Sequence, residues 1–397
     1  MSKNLSPSDA VIVATARTPI ARALRGSLVD VDAFALAEHV TREVIGRSKI
    51  DARMIDDIVL GESLQGGGVI ARNVAVRLGL QSVPGLADNR HCAAGLAAVQ
   101  IAAASVRAGM DHVVIAGGTE SLSSMPRLMK SVPASAKNPQ PWMPPSHPET
   151  PTAPAFDMSI TVGENTARIA GVSRAEADAW ALASHHRAAA ASAAGKFVAE
   201  IVAIDVPDGN GGTRSFARDE HPRADTTLEK LSALPVLHPE IPGATVTAGN
   251  AAGLNDAAAA LVVTSSEFAA AHGLEPLACI RAWASVGVPP ERTGLAPTLA
   301  IPKALERARL SSDDIASWEI NEAFCSMAVA STRILGLDPE RVNVNGSGCG
   351  LGHPIAATGA RMVITMLHEL RRQGATLGCV AMCAGGGMGS ALVLEIV

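Results

Sequence analysis

Short apolar runs alternate with Ala-rich stretches along most of this chain. Val11–Thr15, Asp57–Leu60 and His112–Ala116 have the length and composition of buried strands. Ala33–Gly46 and Ala93–Gly109 carry the spacing and small-residue content of helices. Strand, helix, strand in this order predicts an α/β architecture with crossover connections.

The layout recurs in the second half. Ile50–Ile58 pairs with Leu310–Ile315, each ahead of a short apolar segment. Cys92 leads through a helix to Arg107-Ala-Gly109 and a strand ending at Gly117-Gly118. His353 leads through a helix to Arg372-Gln-Gly374 and a strand ending at Gly385-Gly386. Identities are sparse, so duplication and coincidence both remain open at this point. Under duplication, Cys92 and His353 are equivalent helix starts facing one site.

Residues 131–157 interrupt the pattern with prolines too dense for a helix or a central strand. They predict the entrance to an inserted segment that carries helices at Asn165–Ala170 and Arg174–Gly195. The insertion returns to small residues near Thr245. Such a segment either builds a ligand tunnel or is a solvated linker with a helical hairpin.

Composition narrows the function classes. The chain has 397 residues, 48% of them hydrophobic, enough for a large core and roughly two or three domains. A net charge of −5 without long single-sign blocks argues against nucleic-acid binding through a global positive field. Only 3% aromatics and no Tyr leave few stacking platforms. Six cysteines lack CxxC or zinc-finger spacing and predict reduced thiols in a cytoplasmic protein. The N-terminus lacks a signal-peptide apolar core, and no apolar run reaches spanning length, so no membrane insertion is expected.

Four segments could carry chemistry. Cys92, in Asn89-Arg-His-Cys-Ala-Ala-Gly95, falls at a helix start, where the dipole and free N–H groups favour thiolate; a buried structural cysteine is the alternative. His91 adjoins it, but neighbouring side chains at a helix start point apart. His353, in Gly350-Leu-Gly-His-Pro354, falls at another helix start and could take a thiol proton. Asn321, in Asn321-Glu-Ala-Phe324, could hold a water or an oxyanion, with Glu322 fixing a partner, or could be a plain helix cap. Cys383-Ala-Gly-Gly-Gly-Met-Gly389 sets a thiol beside glycines whose N–H groups can approach a reacting oxygen. Thr245–Asp256 suits close passage of a slender ligand arm or a tight turn.

These segments, with Ala14-Thr-Ala-Arg-Thr-Pro-Ile20, Ala116-Gly-Gly-Thr-Glu-Ser121, Val246-Thr-Ala-Gly-Asn250 and Asn343-Val-Asn-Gly346, resemble the thiolase family in order and over essentially the full length. The resemblance implies a five-layered α-β-α-β-α sandwich of two duplicated halves. It places one half at 1–130, completed by about 245–275, a loop domain binding acyl-CoA at 131–244, and the second half at 276–397. It implies Cys92 as acyl-accepting nucleophile, His353 as its base and Cys383 as acid/base at the acetyl α-carbon. Asn321 would position a water that shares an oxyanion hole with His353, and Gly385 and Cys92 N–H groups would form the other. Arg223, Leu237, Ala252, Thr293 and Phe324 fall along the CoA and acyl side.

The activity implied is CoA-dependent cleavage of 3-oxoacyl-CoA to acetyl-CoA and a shortened acyl-CoA, reversible as a Claisen condensation. Lipid degradation is its implied setting. CoA and acyl-CoA are substrates, no metal or redox cofactor is called for, and the family forms homodimers or homotetramers. The sequence departs from the family's pattern at several places. Ala94 stands where C-x-S-G has Ser, Ala252 where many members have a pantetheine-binding Ser, and Thr293 where short-chain members have an acyl-lining Met. Asn345-Gly-Ser-Gly-Cys-Gly-Leu-Gly-His353 replaces N-G-G-A-I-A-x-G-H, and Met158–Asn165 departs from M-G-x-T-A-E-N. These changes turn the expectation toward medium, long or unusual acyl chains. The alternatives are a short-chain biosynthetic acetoacetyl-CoA enzyme, a ketoacyl synthase-type condensing enzyme on the same fold and a non-catalytic CoA- or lipid-binding relative.

Overall fold

The computed structural model describes residues 5–132 and 135–397. The first half opens with β1 (Ala10–Arg17), whose eight residues are all buried. There follow α1 (Ala33–Ser48), β2 (Asp57–Gly61), α2 (Ile70–Arg77), β3 (Leu86–Asp88), α3 (Ala94–Arg107) and β4 (Val113–Ser121). A segment spanning 122–254 contains α4 (Arg174–Ala193), and β5 (Asn255–Ser265) then completes the half. The second half holds β6 (Ala278–Gly287), α5 (Pro297–Ala308), β7 (Ser317–Ile320), α6 (Cys325–Ile334), α7 (Ile355–Gln373), β8 (Leu377–Ala384) and β9 (Met388–Ile396).

Local signals explain the helix ends. Asp32 caps α1 by accepting from Ala35 N–H at 2.8 Å. Ser173 and Glu176 form a reciprocal capping box on α4. Gly374, at φ 64°, closes α7 in the left-handed region.

The strand order is β3-β2-β4-β5-β1 in the first half and β6-β9-β8-β7 in the second. Two residue pairs between β1 and β6, Val11–Cys279 and Ile12–Ala278, join the halves. The pairings correspond step by step. β2 runs parallel to β4 as β7 does to β8, while β4–β5 and β8–β9 are antiparallel. A parallel bridge from Trp318 to Val342 stands where β3 flanks β2. Short 3-10 turns at Ala52–Met54 and Ser312–Asp314 precede β2 and β7, as the paired segments of the sequence foreshadow. The chain is thus built of two duplicated halves.

Three apolar layers hold the sandwich together. Leu36, Val40 and Val74 of α1 and α2 pack on Val11, Ile58 and Ile115. Leu96, Val99, Met362 and Leu367 of α3 and α7 fill the centre between Val114, Leu261, Val380 and Leu394. Ile301 and Leu305 of α5 cover Trp318 and Val393 on the other outer face. The layers run helix, sheet, paired helices, sheet, helix, a five-layered α-β-α-β-α thiolase-like sandwich.

The Pro-rich stretch lies off the main sheet. Met129–Val132 pairs antiparallel with Ser135–Pro141 as a separate hairpin. The 122–254 segment is tied to the core by a buried ion cluster, in which Arg17 of β1 bonds Glu200 at 2.9 Å and Asp219 at 2.8 Å.

Candidate active site

Two glycines bring the duplicated helix starts together. A Cβ on Gly95 of α3 would stand 2.3 Å from the Ala356 carbonyl of α7. A Cβ on Gly359 of α7 would stand 2.4 Å from the Leu96 nitrogen of α3. Only residues without a side chain allow this approach. Cys92 precedes Gly95 by three residues and His353 precedes Ala356 by three, so both fall at the packed ends of the central helices.

Cys92 sits in a tight turn ahead of α3, where Ala94 N–H bonds the His91 carbonyl at 3.0 Å. The N–H of Gly385 points at its sulfur. The thiol is partly open at its surface yet enclosed by neighbouring atoms, and that burial pushes it up to about 11. The nearby Glu120 charge adds to the shift, and the Gly385 N–H opposes it. The helix start therefore does not by itself yield a thiolate, contrary to the reading of its position in the sequence. Desolvation outweighs the dipole, and the resting thiol needs a base.

His353 can be that base. It is buried, and desolvation followed by the Arg361 charge drives it down to about 3, so its imidazole is neutral at working pH. Its Nδ1 lies 2.7 Å from Thr358 Oγ1 on the first turn of α7. A hydroxyl accepting from Nδ1–H leaves Nε2 with its lone pair, which faces the Asn321 amide. The His353 backbone N–H donates to Asn255 Oδ1 at 2.9 Å, fixing the approach to the helix. Pro354 is the cap residue, one position before the first helical residue.

Asn321 follows β7, its backbone N–H bonded to the Ala381 carbonyl of β8 at 2.9 Å. Its Nδ2 lies 3.4 Å from His353 Nε2. Its buried Oδ1 has no partner within the protein and remains available to a water or a substrate. Glu322 organises this corner. Its carboxylate accepts from Trp180 Nε1, Ser184 Oγ, Asn343 Nδ2 and the Cys349 N–H at 2.8, 2.5, 2.7 and 3.1 Å.

Cys383 is the penultimate residue of β8, in contact with Met327 Sδ at 3.5 Å, and its cluster also holds Val162, Met158 and Phe324. Burial raises its thiol well above the ordinary range, with the Cys92 charge adding to the effect. After it, Gly386 and Gly387 take φ values of 85° and 83°, which turn the chain over Cys92.

The remaining candidates fall in distinct places. Arg223 lines a cavity of about 350 Å³ with Arg22, Asp225, Thr226, Lys230, Leu231 and Leu234. Ala252 N–H bonds the Ala323 carbonyl at 2.9 Å, beside the Asn321 loop. Leu237 is exposed, and its N–H bonds the Val246 carbonyl. Thr293 is fully buried, and its hydroxyl donates to the Pro290 carbonyl at 2.6 Å. Met158 stands nearer the chemistry, its sulfur 3.5 Å from where a Cβ on Gly385 would be.

Sequence reasoning missed several neighbours. Thr358 lies five residues beyond the histidine, on the first turn of the helix that follows it, a position that could have drawn notice. Glu120 and Asn255 arrive by tertiary packing alone. Glu120 accepts from Leu64 N–H, Gln65 Nε2 and Ala356 N–H, thereby pinning the start of α7. His91, at φ 46°, turns its ring to 3.8 Å from where a Cβ on Gly385 would be. The left-handed backbone brings it toward the site that an ordinary helix start would turn it from.

A model of the thiolase N-terminal domain matches residues 10–267, and one of the thiolase C-terminal domain matches 274–396. The chain is 40% identical to the acetyl-CoA acetyltransferase of Escherichia coli, over 98% of this chain and 99% of that protein. It is also 40% identical to the 3-ketoacyl-CoA thiolase of Bacillus subtilis, with the same coverage of 98% and 99%. Among solved structures, the Bacillus anthracis acetyl-CoA acetyltransferase superposes with a TM-score of 0.88 at 36% identity, covering 98% and 99% of the two chains. Human mitochondrial 3-ketoacyl-CoA thiolase gives 0.88 at 32% identity, covering 99% and 100%.

Proposed function

The chain belongs to the thiolase family and is an acyl-CoA acyltransferase, and on that premise we propose that it degrades 3-oxoacyl-CoA by thiolysis through an acyl group on Cys92. The observation that carries this reading is the placement of Cys383 and the Gly385 N–H against Cys92, with neutral His353 beside Asn321.

His353 Nε2 takes the Cys92 proton, and the thiolate attacks the 3-keto carbon. The N–H groups of Cys92 and Gly385 receive the oxyanion. The C2–C3 bond breaks, and Cys383 protonates the departing acetyl-CoA enolate, whose oxygen faces His353 and an Asn321-held water. Free CoA then gives its thiol proton to the Cys383 thiolate and attacks the acyl group on Cys92; the shortened acyl-CoA leaves, and His353 returns its proton to the Cys92 thiolate. The Arg22, Arg223 and Lys230 side of the 350 Å³ cavity suits the phosphates of CoA.

The acyl chain is medium to long. Trp142, Met143, His147 and Phe156 line an open surface hollow of about 570 Å³ that offers an apolar face to such a chain. It lies beside the segment whose Ser146 carbonyl would be 2.6 Å from a Cβ on Gly386. The enzyme works as a homo-oligomer in the cytoplasm, where its free thiols stay reduced. None of the described helices is long and apolar enough to cross a membrane.

Initial rates with CoA across a substrate series from acetoacetyl-CoA to 3-oxopalmitoyl-CoA test the proposal. Ping-pong kinetics and a kcat/KM that rises beyond acetoacetyl-CoA are expected. Turnover restricted to acetoacetyl-CoA would assign the chain to short-chain chemistry.

A further inference from the structure

Cys325 and Cys349 lie outside the mechanism. Both thiols are fully buried, and they share one small apolar cluster with Ala177, Ala181 and Leu231. Both flank the same turn, since Cys349 Sγ lies 3.6 and 3.9 Å from the Gly249 and Ala251 carbonyls while the Cys325 N–H bonds the Asn250 carbonyl between them. His185, also buried, stands against Cys349, and its Nδ1 is otherwise without a partner. The neighbouring Cys325, together with His185, lowers the Cys349 thiol, whereas burial raises Cys325. One sulfur, Cys349, is thus disposed to ionise, while its neighbour Cys325 keeps its proton.

Their positions join two catalytic segments. Cys325 is the first residue of α6, four residues after Asn321, and its N–H bonds the Asn250 carbonyl at 2.9 Å. Cys349 lies in the helical turn Gly348–Leu351, four residues before His353, with its Sγ 3.6 Å from the Gly249 carbonyl. We infer that Cys325 and Cys349 are a reversible disulfide pair, closed by peroxide, whose closure displaces Asn321 and His353 and lowers turnover.

The chemistry balances with hydrogen peroxide as oxidant. The Cys349 thiolate attacks one peroxide oxygen, the O–O bond breaks, and the departing hydroxide takes up the proton first lost from the thiol. This leaves water and a sulfenic acid. Cys325 sulfur then attacks the sulfenic sulfur, and its proton and the sulfenic hydroxyl leave as a second water. Two thiols are oxidised and one peroxide is reduced. Leu231 and Leu234 pack on this cluster and also line the Arg22–Arg223 cavity, so a single side-chain layer separates the pair from that opening. Closing two thiols to bonding distance pulls α6 toward the Gly348 turn and strains the Cys349 N–H bond to Glu322. Displacement of about 1 Å at a reacting geometry costs up to roughly 100-fold in rate.

The role in turnover rests on the proposed function; the bond itself does not, and two arms separate them. In Cys92→Ser protein, which needs no activity, peroxide followed by non-reducing peptide mapping is expected to yield a linked Cys325–Cys349 peptide that dithiothreitol releases. Its absence overturns the proposal whatever the reaction. Wild-type protein is oxidised with Cys92 protected as its acetyl thioester by acetyl-CoA, then assayed. At least a ten-fold, dithiothreitol-reversible fall in thiolysis is expected, and Cys325→Ala and Cys349→Ala proteins are expected to keep their rates through the same treatment. An equal fall in both variants, or a linked wild type with unchanged turnover, overturns the coupling.

Discussion

In the proposed reaction, Thr358 sets which nitrogen of His353 serves as the base. Its Oγ1 lies 2.7 Å from Nδ1, and the imidazole stays neutral because burial drives it down to about 3. Thr358→Val removes that anchor while keeping the volume. Steady-state kinetics are expected to give a kcat lower by on the order of 10- to 100-fold, with KM nearly unchanged. Unchanged kcat would remove Thr358 from the account. Cys92 makes a prediction of the opposite sign. Its thiol is raised to about 11 from 9.0, so thiolate is scarcer than in a free cysteine at any given pH. Iodoacetamide alkylation of the free enzyme should still be climbing above pH 9.0, whereas a plateau well below it would contradict the burial argument. At this scale much was legible. Cys92, His353 and Cys383 each stand close to glycines or turn residues that mark an unusual backbone, and Asn321 stands at the end of an apolar run. Glu120 and Asn255 also lie in glycine-bearing segments, Ala116–Ser121 and Thr245–Asp256, but nothing in those segments discloses the helix starts that they pin, and Thr358 lies inside a helix with no mark of its partner.

At the scale of elements, the site depends on how closely α3 and α7 approach. Gly95 and Gly359 face backbone atoms at 2.3 and 2.4 Å from where a Cβ would be. Backbone cannot swing aside as a flexible side chain can, so Gly95→Ala has to part the two helices. Urea unfolding is expected to show a loss of about 1–3 kcal/mol, with a fall in kcat as Cys92 and His353 separate. Wild-type stability in that variant would mean that the helix ends can shift freely. The helices themselves were readable from apolar runs and small residues. Their packing was not, since a glycine inside an Ala-rich helix does not disclose which backbone it meets. The duplication was visible in layout, as the equivalence of β2 with β7 and α3 with α7 shows. It was faint in residue identity because each half had to supply different chemistry at the same geometric place.

For the whole molecule, the proposed CoA and acyl sides can meet only if the 122–254 segment is held against the sandwich. Arg17 makes that tie with Glu200 and Asp219, all three buried. Replacing Arg17 with Met leaves two carboxylates buried without their cation, and chemical denaturation is expected to register a loss of about 3–5 kcal/mol. A change near zero would show that the tie is dispensable. Arg17 stands inside Ala14-Thr-Ala-Arg-Thr-Pro, part of the motif set that marked the family, although its sequence gave no hint of an ion cluster spanning 200 positions of chain. The α/β class and a recurring layout followed from the hydrophobic pattern, and the interruption, which falls inside the first half, from its prolines. The buried networks did not, because charges in an apolar run reveal nothing of their partners before the chain closes on itself.

The division of labour between the two thiols is the centre of the account, and peptide mapping after incubation with acetyl-CoA tests it most directly. In Cys383→Ala protein, a single acetyl group on the peptide containing Cys92 is expected, removable by free CoA, with condensation and thiolysis both lost. An acetyl group on any other cysteine, or no adduct in a folded protein, would contradict it.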